Sequence, residues 1–110
     1  MSNLDLLVKA VVSDGDPERI ILFGSYLNGS VEKETDLDIA VIQKKYPRLG
    51  QKAKVYLTLV DLNYDWSIEP DIHFFSKKDF EKGLKERDLF ISEISKGRTI
   101  YAKKDLRSLV

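Results

Sequence analysis

Ile20-Ile21-Leu22-Phe23-Gly24-Ser25 is followed, ten residues on, by Asp36-Leu37-Asp38-Ile39-Ala40-Val41-Ile42-Gln43. Ile20 to Phe23 and Asp38 to Ile42 are short runs rich in β-branched and apolar residues and bounded by turn formers, which predicts two strands of a central sheet. Successive side chains on a strand point to opposite faces, so Asp36 and Asp38 share one side while Leu37, Ile39 and Val41 take the other. Two like charges side by side are costly unless a cation lies between them. Hard divalent ions such as Mg²⁺ choose carboxylate oxygens and complete their shell with water and substrate phosphates. The Gly24-Ser25 turn exposes backbone N–H groups and a hydroxyl, a concavity that suits a phosphate. Such a turn beside a metal-holding carboxylate pair is the minimum apparatus for phosphoryl or nucleotidyl transfer, in which positioning and charge neutralisation supply most of the catalysis.

Upstream, Leu4, Leu7, Val8 and Val11 recur at helical spacing behind Ser2 or Asn3 as N-cap, predicting a short amphipathic helix that Asp14-Gly15-Asp16-Pro17 ends. Residues 26–35 must make a turn or a single helical turn, broken at Gly29 and Ser30. Beyond Tyr46-Pro47 a second helix is expected from about Leu49 to Leu62, with Ala53, Tyr56, Leu57 and Val60 as its stripe. Asn63 to Glu69 reads as a loop, and Asp71 to Phe75 as a third strand with Asp71, His73 and Phe75 on one face. Ser76-Lys77-Lys78-Asp79 is a capping box with Asp in place of Glu, and it opens a helix carrying Phe80, Leu84, Ile91 and Ile94. Gly97 is placed as the C-cap of that helix, and Thr99-Ile100-Tyr101 as a last short strand. The expected class is α/β (α+β), a small mixed β-sheet flanked by helices, in one domain spanning 1–110.

Composition narrows the function. A chain of 110 residues with 43% hydrophobic content is enough for a single core, and no built-in acceptor domain is expected. Eighteen basic against eighteen acidic residues give no net charge, which argues against a free-standing nucleic-acid binder. Lys44-Lys45, Lys77-Lys78 and Lys103-Lys104 read as solvated ends of elements, one of them available to a triphosphate. The absence of cysteine rules out disulfides and thiolate metal sites and suits a reducing cytoplasm. No apolar run approaches a membrane span and the amino terminus has no signal-peptide pattern, so a cytoplasmic protein is expected.

The Gly-Ser, ten residues, Asp-X-Asp spacing in its strand context resembles the nucleotidyltransferase superfamily of DNA polymerase beta. It looks most like the minimal nucleotidyltransferase proteins found as antitoxins beside helical HEPN-domain toxins. Gly24, Ser25, Asp36 and Asp38 fall on that pattern without a gap. The resemblance implies a polymerase beta-like fold and a third carboxylate on a later strand, for which Asp71 is the candidate. It further implies that Asp36, Asp38 and Asp71 are catalytic and hold two Mg²⁺ ions, and that Gly24 and Ser25 bind the β and γ phosphates of ATP. AMP would pass to a hydroxyl, a tyrosine of a separately encoded HEPN toxin. Tyr26-Leu27-Asn28 stands where many members carry a small residue and a cation before the second glycine, which removes one expected triphosphate contact. Thr35 occupies the place of a frequent Ser.

Other readings remain open. A non-catalytic antitoxin or nucleotide-binding module would keep the fold and block its partner by contact, and transfer to RNA or a small molecule would use the same carboxylates. Either a homo-oligomer or a hetero-oligomer fits. His73, the only histidine, lies on the same strand face as Asp71 and reads as a packed structural residue. Tyr64 and Trp66, in the loop before the third strand, fit equally a base-stacking or partner-contacting loop and the edge of the core.

Overall fold

Alternation along the two apolar runs splits their side chains between two faces, and each face has its own core. In the computed structural model, which describes residues 1–24 and 36–103, the chain order is α1 (Asn3–Asp14), β1 (Pro17–Phe23), β2 (Leu37–Gln43), α2 (Gln51–Asp61), β3 (Pro70–Ser76), α3 (Lys77–Lys85), α4 (Leu89–Ser95) and β4 (Arg98–Ala102). The strands form a four-stranded sheet in the order β3-β2-β1-β4. β1 runs antiparallel to β2 and β4, and β2 runs parallel to β3, so the sheet is mixed as expected. The turn expected over residues 26–35, with Ser25, lies outside the described residues.

On one face Ile20, Leu22, Leu37, Ile39, Val41 and Ile72 pack beneath α1 and α2. On the other, Ile21, Phe23, Ala40 and Ile42 pack against Phe80 of α3 and Ile91 and Ile94 of α4. α1 begins at a complete capping box, in which Ser2 accepts from the Asp5 N–H and the Asp5 carboxylate reaches back to the Ser2 N–H. β1 starts at Pro17, earlier than expected, because an irregularity in its pairing with β2 between Pro17 and Arg19 lets the ladder continue past the turn.

Three expectations about the helices need correction. The buried residues of α2 are Val55 and Leu59, whereas Ala53, Leu57 and Val60 of the expected stripe face outward. Two stripes with the same helical period run along α2, and periodicity does not say which of them meets the sheet. The segment expected as one helix is two, because the chain turns at Arg87 (φ 59°) and Asp88 caps α4 by accepting the Ile91 N–H at 2.9 Å. A side chain at Gly83 would collide with Ile91, so Gly83 is what lets α4 fold back onto α3. Gly97 lies one residue beyond the α4 C-cap, Lys96, and a side chain there would strike the Leu22 carbonyl oxygen. Its role is close approach to β1.

Candidate functional site

Strand register builds the site. Antiparallel pairing sets Phe23, at the end of β1, opposite Asp38, and parallel pairing sets Asp38 beside Asp71. Gly24 follows immediately with φ 81°, a left-handed conformation that side chains disfavour, and a Cβ there would collide with the Asp38 carboxylate. The turn glycine is thus fixed by the closeness of backbone to carboxylate.

The Asp38 carboxyl is raised from 3.8 to about 6, first by burial, then by a hydrogen bond and charge repulsion with Asp71, with a smaller push from Asp36 and a partial offset by His73. The strongest like-charge contact of Asp38 is therefore across the strand pair to Asp71. Asp36 is exposed, immediately before β2, and acts on Asp38 through its charge.

His73 Nε2 lies 3.2 Å from Asp71 Oδ2. Its ring is held 5.7 Å from that of Phe23 and 5.2 Å from that of Phe90. It is packed, as a structural histidine would be, and it also presents a nitrogen to the carboxylates. Asp38, Asp71 and His73 each offer one ligand atom, all within 4.8 Å of one another. Two carboxylates and an imidazole, with one carboxyl held above its ordinary range by burial first and by Asp71 second, could together hold a divalent cation. Of the expected trio, Asp38 and Asp71 belong to this group and Asp36 does not. The signal for His73 was its spacing of two residues from Asp71. Phe90 carried none, because its place beside the site depends on the turn at Arg87.

Other candidates fall elsewhere. Lys44 and Lys45 sit with Tyr46 and Arg48 around a cavity of about 400 Å³ at the far end of β2, a strand length away from Gly24. They are too distant to serve a triphosphate bound there. Lys77 pairs with Glu18 at 3.4 Å and Lys103 with Asp16 at 2.9 Å. Tyr64 is buried in the core under α1 and α2, its hydroxyl donating to the Ile68 carbonyl at 2.8 Å, and Trp66 leans on it with ring centroids 4.9 Å apart. Both edge the core on the face away from the carboxylates.

Comparison with known proteins adds three findings. Residues 6–106 match the family model described as "Polymerase beta, Nucleotidyltransferase". Over 58 residues the chain is 38% identical to "Putative protein adenylyltransferase MJ0141" of Methanocaldococcus jannaschii, a stretch amounting to 51% of this chain and 59% of that relative. The chain thus spans less than two thirds of that relative's length. A chain in a crystal structure of a toxin-antitoxin with AMP-PNP superposes with a TM-score of 0.59 at 16% identity, covering 96% of this chain and 77% of that one. At that identity the likeness is one of fold.

Proposed function

The chain belongs to the polymerase beta nucleotidyltransferase family, and on that premise we propose that it is an enzyme moving AMP from ATP to a hydroxyl acceptor. The observation that carries this reading is the register that sets Asp38 beside Asp71 with the Gly24 backbone against it. Asp38 and Asp71 are proposed as metal-holding carboxylates, with Asp36 at the mouth of the strand pair supplying further negative charge to a second ion. When bound, Mg²⁺ supplies neutralisation of the triphosphate and lowers the pKa of the acceptor hydroxyl.

The protein's own part is positioning. Gly24, with Ser25 after it, is proposed to receive the β and γ phosphates through backbone N–H groups and a hydroxyl. The acceptor oxygen attacks the α-phosphorus, the bond to the bridging oxygen breaks, and pyrophosphate leaves. Asp71 is proposed to take the acceptor proton. Phe90 and His73 border the site on the α4 side.

The acceptor we favour is a partner protein, specifically a tyrosine of a HEPN toxin, encoded separately. The fold likeness to a toxin-antitoxin chain and the similarity to a protein named as an adenylyltransferase support it. We read the chain as one domain working in the cytoplasm; among the described residues no helix is long and apolar enough to cross a membrane.

The test is label transfer from α-labelled ATP to a co-purified partner, in Mg²⁺ and in EDTA. Wild type should label the partner only with metal, and Asp38→Asn and Asp71→Asn should not label it at all. Neutralisation of the partner without label, by wild type and both variants alike, would leave a contact-only antitoxin and defeat the enzymatic reading.

A further inference from the structure

α2 carries two apolar stripes, and the fold buries only one of them. Val55 and Leu59 face the sheet. The Thr58 hydroxyl donates to Asp14 of α1 at 2.6 Å and the Tyr56 hydroxyl to the Pro70 carbonyl at 3.1 Å. These bonds fix the helix about its axis, so the second stripe cannot roll inward. That stripe is Ala53, Leu57 and Val60, spaced i, i+4 and i+7, with Leu57 68% and Val60 56% exposed. Leu49, at the foot of the helix, is fully exposed as well. Single exposed apolar residues are ordinary on a monomer, but a row along one helix face marks an interaction surface.

The charges beside the stripe say what covers it. At 100° per residue Lys54 and Asp61, one heptad apart, fall on the same flank of the stripe. Both are exposed, and neither takes part in an ion pair among the described residues. We infer that the outer face of α2 pairs antiparallel with the same face of a second copy of this chain. A twofold axis beside Leu57 sets Lys54 of each copy opposite Asp61 of the other, twice over, and Leu57 against its own mate. Small Ala53 lies near Val60 of the opposite copy and lets the helices approach. Parallel pairing would turn this flank toward the opposite flank of the mate and form neither Lys54–Asp61 contact, so the charges favour the antiparallel arrangement.

This helix lies on the sheet face opposite the carboxylates, so pairing leaves both sites open to an acceptor. An 11-residue helix buries less than a standard interface, and the dimer is accordingly weak and concentration-dependent.

Sedimentation equilibrium on the full chain, up to about 1 mM, tests it at the weak end of specific association. Wild type should shift from monomer to dimer with concentration. Leu57→Lys should weaken association at least about tenfold with the circular dichroism spectrum and melting temperature kept, since burial of the stripe is lost. Lys54→Asp and Asp61→Lys should each weaken it severalfold, and the double variant Lys54→Asp/Asp61→Lys should restore it, because only reciprocal pairing regains opposite charges. A wild type that stays monomeric throughout, association unaffected by Leu57→Lys, or a double variant as weak as the singles would each overturn the inference.

Discussion

The two faces of the sheet are built from the same strands and put to opposite uses. Under α1 and α2 the face is closed, and Leu37 and Ile39 on either side of Asp38 are almost wholly buried there. The other face is covered by the shorter α3 and α4, whose buried side chains meet Ala40 and Ile42, while Asp38, Asp71 and His73 stay only half-buried beyond them. One strand thus supplies a rigid anchor and a reactive edge in alternate residues. The closed face holds geometry and the partly open face spends it on charge, which predicts that the two faces separate stability from activity.

The largest expected effect lies on the closed face. Ile39→Ala should cost ~2–5 kcal/mol of stability, because a fully buried side chain leaves a cavity between sheet and helices. Denaturant melts would measure it. The neighbouring substitution Asp38→Asn should leave stability at or above wild type while removing nucleotidyl transfer. A large stability loss for Asp38→Asn would erase the contrast.

Gly24→Ala comes next, with an expected cost of ~1–3 kcal/mol from the positive φ and the collision with Asp38. The displaced carboxylate should bind Mn²⁺ more weakly, which titration calorimetry reads directly.

The pH dependence is smaller but has a definite sign. The Asp38 carboxyl rises from 3.8 to about 6 on folding, through burial first and Asp71 second, so the folded state holds its proton more tightly than the unfolded one. Its contribution is fully present below about pH 4 and is lost as pH climbs through about 6. In EDTA the melting temperature should fall across that window. Mg²⁺ should flatten the slope, and so should Asp38→Asn.

Much of this contrast was legible in the residues. The alternation of Leu37, Asp38 and Ile39 states the two faces outright, and the Gly-Ser spacing points to the same end of the strand pair. What could not be read were features set by contacts distant in sequence. The inward stripe of α2 is chosen by the sheet, since both stripes have the same period. The chain breaks at Arg87, where α4 folds back so that Ile91 lies against the bare backbone of Gly83, and the demand for glycine at position 97 comes from the Leu22 carbonyl. The alignment of Asp71 with Asp38 rests on a parallel register that no local signal carries. His73 had a visible place beside Asp71, but its packing between Phe23 and Phe90 needed the fold.

The most direct test of the account is Mn²⁺ affinity, measured by calorimetry with a non-hydrolysable ATP analogue present, for wild type, Asp38→Asn, Asp71→Asn and Leu57→Lys. Cross-strand carboxylates that hold the ion predict a loss of at least about tenfold for each aspartate variant and none for Leu57→Lys, which lies on the other face. Unchanged affinity in Asp38→Asn and Asp71→Asn would contradict it.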